Sequence, residues 1–301
     1  MTEAGMPKNA KLFCFGLGYS ALVLARRLKA DGWFVGGTCR HEDTRARLSA
    51  EGIDVFLFDR DRPLENPGAA LNGATHILVS VPPDAAGDSV LDRHRADILA
   101  LRDVHWIGYL STTGVYGDTG GAPVDESALV NPTTERSRRR VMAEKRWLGL
   151  RHREGLAVHV FRLAGIYGPG RSIFERLRAG SAQRIDRPGH LFSRIHVEDI
   201  ATVLQASIAK PRPGAIYNVC DDEPAAPADV TAYACRLAGV TPPPMVSFED
   251  AQKTMTPMAL SFWRDNRRID NGLIKRELGV TLAYPTYKEG LEAIFAPARA
   301  K

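Results

Sequence analysis

A chain of 301 residues can form one large α/β unit or two closely packed domains, and its 44% hydrophobic and 25% charged residues are ordinary for a globular protein with a sizeable core. The first ten residues contain no apolar signal-peptide segment, and no stretch approaches the roughly 18 uncharged apolar residues of a membrane helix, so we expect a cytoplasmic protein that uses no membrane. The net charge of +5 favours an anionic small-molecule substrate over nucleic acid, because the arginines are spread along the chain and no aromatic residues interleave with the one dense run at 136–140.

Short apolar runs alternate with helix-forming stretches over the first half of the chain. We predict strands at 11–15, 33–38, 53–58, 76–81, 104–110 and 157–163, and helices at 19–30, 41–50, 88–101 and 134–154. This alternation indicates an α/β fold with a Rossmann-type, doubly wound parallel sheet, and the simplest strand order is that of the dinucleotide-binding domains.

Gly and Pro become frequent after about residue 168, and the predicted elements shorten. We therefore predict an NAD(P)-binding Rossmann domain at 8–168 and a smaller C-terminal substrate-binding region at 169–301 that partly returns to the core sheet. The four cysteines show no CxxC spacing, and His196 has no second histidine at ligand spacing, so we predict free thiols and no metal site.

A glycine turn follows the first predicted strand and precedes the first helix, with the sequence Gly16-Leu17-Gly18-Tyr19-Ser20-Ala21. In a dinucleotide site Gly16 permits the tight turn, Gly18 lets the backbone approach the pyrophosphate, and Ala21 lets the helix pack closely. Tyr19 and Ser20 open the helix whose N–H groups and dipole would hold the anion. The context of strand, turn and helix favours a dinucleotide over a plain structural turn.

The end of the second strand distinguishes the two nicotinamide cofactors. NAD sites usually carry an Asp or Glu there, whereas this chain has Thr38-Cys39-Arg40. Arg40 can pair with a 2′-phosphate, and Thr38 offers a further hydroxyl, so we predict NADP over NAD as the cofactor. The alternative is a solvated arginine at a strand end.

Several further segments, taken jointly, resemble one family. They are 110–117, 161–170, 194–201 and 216–219, together with the glycine turn. The chain from about residue 11 to 295 resembles the extended short-chain dehydrogenase/reductases, a group of NAD(P)-dependent sugar epimerases and dehydratases. The resemblance implies a Rossmann domain, a substrate domain and a catalytic set of Ser/Thr, Tyr and Lys. It also implies a homodimer built on the helices after the fourth and fifth strands.

The resemblance places the catalytic hydroxyl at Thr112, while the alternative is a strand-end residue that satisfies backbone groups. At the positions of the family's Tyr and Lys this chain has Arg136 and Arg140, although the following Glu matches at Glu144. Arginine cannot exchange a proton near neutral pH. Arg140 could instead hold the nicotinamide ribose or a phosphate, and Arg136 an anionic substrate group. The chain therefore resembles an atypical branch of the family.

The same analogy places Val81 and Pro82 in the cofactor cleft and makes Asp59 a candidate adenine contact, with a solvated acid as its alternative. Arg171 could face an anionic substrate group or be a surface loop residue. The proton donor is left open.

Two functions follow from these residues. The first is an oxidoreductase or epimerase/dehydratase-type enzyme on a small, anionic or nucleotide-sugar substrate, with its proton handled by Tyr116, Tyr167, His196 or water. The second is a non-catalytic NADP(H)-binding redox sensor or scaffold, which the absent Tyr and Lys favour.

Overall fold

The computed structural model describes residues 10–299 of the chain, so the predicted domain start at residue 8 lies outside the described residues. The strands are β1 Lys11–Phe15, β2 Phe34–Cys39, β3 Asp54–Leu57, β4 His76–Val79, β5 Trp106–Thr112, β6 Pro123–Val124, β7 Val158–Leu163, β8 Gly165–Tyr167, β9 Arg184–Asp186, β10 Arg194–His196, β11 Ile216–Val219, β12 Met245–Ser247 and β13 Arg268–Ile269. The helices are α1 Tyr19–Ala30, α2 Glu42–Ala50, α3 Pro67–Leu71, α4 Ser89–Leu99, α5 Glu135–Glu154, α6 Ile173–Arg178, α7 Val197–Ala209, α8 Pro227–Ala238, α9 Phe248–Ala251, α10 Pro257–Trp263, α11 Gly272–Leu278 and α12 Tyr287–Arg299.

Seven strands form one sheet in the order β3-β2-β1-β4-β5-β7-β11. The pairs from β3 through β5 are all parallel. The predicted α/β class and the dinucleotide-binding strand order are thus confirmed, with β7 as the sixth strand, and β11 extends the sheet by one strand.

Strand register explains where the predicted boundaries differ. β1 and α1 have the predicted bounds, but β5 begins at Trp106 because Trp106 pairs with His76, the first residue of β4. β5 also ends two residues later than predicted, so Thr112 is its last residue. The short helix α3, which the sequence analysis missed, begins with a proline at its first turn and is capped by the Asn66 side chain.

Two compact units divide the chain. The first comprises the residues up to Ser111 together with Arg139–Phe161 and Leu204–Ile216, and the second comprises Thr112–Arg138, Arg162–Val203 and the residues from Tyr217 onward. The single domain boundary predicted after residue 168 lies inside the second unit. None of the helices in the range 10–299 has the length and hydropathy needed to cross a bilayer.

Each unit has an apolar core of its own. In the first unit the aromatic side chains of β1 and α5 pack with aliphatic residues of β4, β5 and α4, and Phe13, Phe15 and Trp147 are completely buried. In the second unit α6, α8 and α12 enclose a smaller cluster around Phe174 and Leu291. The four cysteines are buried free thiols, as predicted.

Candidate functional site

The glycine turn lies between β1 and α1 in the first unit. Gly16 has a φ of +90°, and a Cβ at this position would lie 3.0 Å from Val81 Cγ2. Thr38 stabilises the turn through two hydrogen bonds. Its Oγ1 accepts one from the Gly16 N–H at 2.8 Å, and its carbonyl accepts one from the Leu17 N–H at 2.7 Å. Thr38 is only 1% exposed, so the structure places this residue beneath the turn as its support.

The start of α1 offers an anion site. Gly18 is the N-cap residue, is exposed, and makes no side-chain cap for the helix, and the nearest atom to a Cβ placed on it would be Ser80 Oγ at 3.9 Å. The buried Ser20 and Ala21 keep the first turn of α1 against the sheet. A helix N-terminus whose N-cap residue is an exposed glycine fits the pyrophosphate of a dinucleotide.

The end of β4 borders this turn. Val81 is half-buried and contacts Gly16, and Pro82 is exposed. The predicted strand continued to residue 81, whereas β4 ends at Val79. The consecutive prolines Pro82 and Pro83 have no backbone N–H with which a ladder could continue.

Charged side chains gather where β2 and β3 end. Arg40 is exposed at the end of β2. Asp59, the candidate adenine contact, uses its carboxylate within its own loop, where it pairs with Arg62 at 3.1 Å. Arg62 was missed by the sequence analysis, although the run Asp59-Arg60-Asp61-Arg62 directly after a strand was visible. Burial raises the pKa of the Cys39 thiol, and the nearby positive charges oppose that increase.

Arg140, which the resemblance aligns with the family's lysine, is hydrogen-bonded within the first unit. Its Nη1 donates hydrogen bonds to the Leu110 carbonyl at 2.5 Å and to the Tyr109 hydroxyl at 3.2 Å. Burial raises the pKa of Tyr109, so that this phenol stays protonated. One helical turn further along α5, the buried Glu144 accepts a hydrogen bond from Ser111.

Three hydroxyl groups cluster near the start of the second unit. Thr112 Oγ1 accepts a hydrogen bond from Gly114 N–H at 3.1 Å, which caps the 3₁₀ turn Thr113–Tyr116. Ser137 accepts one from Thr134 Oγ1 at 2.9 Å. A Cβ on Gly114 would lie 2.9 Å from Ser137 Oγ and 3.3 Å from Thr112 Oγ1, so both hydroxyls flank the same glycine. Thr112 is the predicted catalytic hydroxyl, whereas Thr134 and Ser137 were not predicted from the sequence.

These hydroxyls border a cavity of about 620 Å³ that lies within the second unit. Its cationic lining residues are Arg136, Arg171, Arg176, Arg194 and Arg267. Within the described part of the chain, Asp265 is the one acidic residue of the lining. Phe192, Phe262 and Trp263 supply aromatic walls. The cavity thus combines positive charge with apolar surface.

Two of the cavity arginines are held firmly by the protein. Arg267 pairs with Asp265 at 2.9 Å and donates to the Gly117 carbonyl at 2.9 Å. Arg194 donates to two backbone carbonyls, those of Phe192 at 2.8 Å and Ala225 at 2.9 Å. Burial lowers the pKa of both guanidinium groups, but arginine keeps its charge at neutral pH.

The predicted substrate arginines Arg136 and Arg171 are both exposed side chains of the cavity lining. Arg136 lies over the ring of Phe262, with its Cζ 4.9 Å from the ring centroid. Such a contact positions a guanidinium without neutralising its charge. Arg136, which the resemblance aligns with the family's tyrosine, thus lines the cavity next to an aromatic ring.

The three candidate proton donors differ in their surroundings. Tyr116 is buried, donates to Asn218 at 2.7 Å and accepts from Arg162 at 2.9 Å. His196 is buried and its ring contacts that of Tyr284, with the ring centroids 4.0 Å apart and the planes inclined by 49°. Of the three, Tyr167 alone lines the cavity, and its hydroxyl donates to the Thr286 carbonyl at 3.3 Å. Burial raises the pKa of Tyr167, which disfavours its anion.

Comparison with known proteins identifies the family. The model of the NAD-dependent epimerase/dehydratase family matches residues 96–220. Protein YeeZ of Escherichia coli K12 is 30% identical over 286 residues, which is 91% of this chain and 96% of YeeZ. The chain belongs to the NAD-dependent epimerase/dehydratase family. The resemblance to the extended short-chain dehydrogenase/reductases is thereby confirmed, and the family's cofactor is a nicotinamide dinucleotide.

Solved structures extend the comparison. A conserved protein of unknown function from Silicibacter pomeroyi DSS is 50% identical, with a TM-score of 0.87 over 96% of this chain and 99% of that chain. The UDP-glucuronic acid 4-epimerase of Bacillus cereus, solved in complex with NAD, is 13% identical, with a TM-score of 0.75 over 96% of this chain and 99% of that chain. The second likeness shows that an epimerase of this family shares the fold.

Proposed function

We propose that this member of the family is an NADP(H)-dependent oxidoreductase or epimerase/dehydratase-type enzyme that acts on a small anionic substrate. The observation that supports it best is the cavity of the second unit, whose lining contains five arginines and, within the described chain, a single acidic residue. Because arginine pairs with carboxylate and phosphate oxygens through two parallel hydrogen bonds, such a lining favours a substrate that carries one of these groups. A nucleotide-sugar falls within this class.

The dinucleotide would be held by the first unit through the glycine turn and the N-terminus of α1. When bound, a nicotinamide cofactor supplies a hydride acceptor or donor. The hydroxyls of Thr112 and Ser137 would hydrogen-bond the reacting oxygen of the substrate. Arg136 and Arg171 would neutralise its anionic group, which fixes the orientation of the substrate.

Arginine at positions 136 and 140 changes the proton chemistry. Neither side chain can accept a proton near neutral pH, so the proton of the substrate hydroxyl must leave through a hydroxyl group or water. The pair Thr134 and Ser137, joined at 2.9 Å, offers such a route next to Thr112. Turnover by positioning without a tyrosine would be slow.

Thr112→Ala is expected to lower kcat at least tenfold, because one positioned hydroxyl contributes about that much or more to a hydride-transfer site. Cofactor affinity should change little. Thr112→Ser is the matched control, because it keeps both the hydroxyl and the cap on Gly114. Steady-state kinetics with a responsive anionic carbonyl compound measures the effect, and unchanged turnover in Thr112→Ala would contradict the assigned role.

Arg40→Ala is expected to weaken NADPH binding about tenfold or more and NADH binding less than about twofold, because only NADPH carries the 2′-phosphate. Calorimetric titration of the wild type and the variant with both nucleotides measures this difference. An equal loss for both would refute the preference for NADP.

The second candidate function is a non-catalytic NADP(H) sensor. The observation that favours it is the position of Arg140, whose Nη1 already bonds the Leu110 carbonyl and the Tyr109 hydroxyl. A sensor must bind NADPH and NADP+ with different affinities, since only a differential affinity can shift a conformational equilibrium. A large difference between the two forms without turnover of any anionic substrate would favour the sensor over the enzyme.

A further inference from the structure

The loop after β3 brings a second arginine to the end of β2. Arg62 Nη2 donates a hydrogen bond to the carbonyl of Arg40 at 2.6 Å. The two strands are neighbours here, since Cys39 pairs with Leu57 in the parallel register. Arg62 therefore lies with Arg40 at the carboxyl ends of these strands. Arg40 follows the glycine turn by about 20 residues, which is where dinucleotide-binding folds contact the adenosine ribose.

Asp59 fixes the loop that carries Arg62. Its Oδ1 accepts hydrogen bonds from the N–H groups of Asp61 at 3.1 Å and Arg62 at 3.0 Å. Its Oδ2 pairs with the Arg62 guanidinium at 3.1 Å. The backbone closes the same turn, because Asp59 N–H donates to the Arg62 carbonyl at 3.0 Å. The carboxylate is thus engaged by its own loop, which makes it a positioning group for Arg62.

The Arg62 side chain is suited to bind an anion. It is 46% exposed, and its contacts within the described chain use Nη2. A guanidinium carries five N–H donors in a planar fork, so the contacts through Nη2 leave the donors on Nε and Nη1 for another acceptor.

We infer that Arg62 is a second anchor for the 2′-phosphate of NADP(H) and that Asp59 serves to position it. This inference rests on the proposed preference for NADP. A single arginine at the end of β2 does not fill all the hydrogen-bonding positions of the three terminal phosphate oxygens. Two guanidinium groups can share those oxygens. Arg62 thereby determines specificity between the two nicotinamide cofactors.

The test is calorimetric titration of the full-length protein with four probes: NADPH, NADH, adenosine 2′,5′-bisphosphate and 5′-AMP. Arg62→Ala should weaken the binding of NADPH and of the bisphosphate about tenfold, while the affinities for NADH and 5′-AMP change less than about twofold. Arg62→Lys should recover part of the loss. Arg95→Ala, which removes an exposed arginine paired with Glu154, is the matched control and should leave all four affinities unchanged.

Asp59→Asn separates the two roles that this carboxylate could have. If Asp59 positions Arg62, Asp59→Asn should weaken the binding of NADPH several-fold and leave the binding of NADH unchanged. An adenine contact would instead weaken NADPH and NADH equally, which would overturn the role assigned to Asp59.

The outcomes distinguish this inference from the proposed function. Selective loss of NADPH in Arg62→Ala supports it. If the wild type and Arg40→Ala show the expected NADP preference but Arg62→Ala binds all four probes normally, the inference fails and the proposed function stands. If the wild type shows no preference for NADPH, the NADP assignment fails and the role of Arg62 fails with it.

Discussion

Gly18→Val is expected to weaken the binding of NADPH and NADH alike by about 100-fold or more. The valine side chain would project where the pyrophosphate has to approach the backbone at the start of α1. The Cβ itself has room, since Ser80 Oγ is the nearest atom to a Cβ at this position, at 3.9 Å. Gly18 has a φ of −84°, which any residue adopts, so the expected loss of stability is only the roughly 1 kcal/mol that an aliphatic residue costs at an N-cap.

Gly149→Ala is the matched control for that measurement. Gly149 lies inside α5, and a Cβ there has no neighbour within 4 Å, so alanine should stabilise the protein by about 0.5–1 kcal/mol through its helix propensity. Its nucleotide affinities should equal those of the wild type. Calorimetry gives the affinities and thermal unfolding gives the stabilities. A Gly18→Val protein that still binds either dinucleotide tightly would show that the pyrophosphate does not bind at this turn.

Gly117→Ala is expected to destabilise the protein by about 3 kcal/mol or more, through two effects that act together. Its φ of +71° and ψ of −150° form a conformation that residues with a side chain rarely adopt. A Cβ would also lie 1.9 Å from the carbonyl oxygen of Asn131, a backbone atom that cannot turn aside. The residue ends the 3₁₀ turn that Thr112 caps, so the hydroxyl site should be disturbed as well.

Gly120→Ala separates the two effects, because Gly120 also has a positive φ, +62°, but has open space around its Cα. It should cost only about 1 kcal/mol. Urea unfolding of both variants measures the difference. Equal destabilisation by the two substitutions would show that the close approach of Asn131 contributes nothing and that the dihedral strain alone governs this loop.

The arginines at positions 136 and 140 now have different explanations. Arg140 belongs to the first unit, where it bonds the Leu110 carbonyl, and Arg136 belongs to the second unit, where it lines the cavity over Phe262. In the sequence they are one run of basic residues on a helix. Only their contacts in the structure distinguish the residue that bonds the end of a strand from the one that lines the cavity.

The sequence by itself determined the α/β class and the glycine turn, whereas the strand order was only assumed to be the dinucleotide-binding one and was established by the structure. The class and the turn depend on local patterns: apolar runs of strand length, helical periodicity, and a turn whose glycines are adjacent in the chain. The bounds of β1 and α1 agree with the prediction because both the residues and their signals are contiguous. Family membership follows from the same short motifs taken in order, and the cofactor preference, the domain limits and the oligomeric state stay predictions.

Only the tertiary structure decided which side chains meet. It placed Thr38 beneath the turn, engaged Asp59 in its own loop, brought Arg62 to Arg40, and set Ser137 beside Thr112. The cavity arginines come from segments more than one hundred residues apart, such as Arg136 and Arg267. Pairings of this kind depend on strand register and loop geometry, and a one-residue shift in either moves a side chain to the opposite face, so the spacing of residues along the chain cannot specify them.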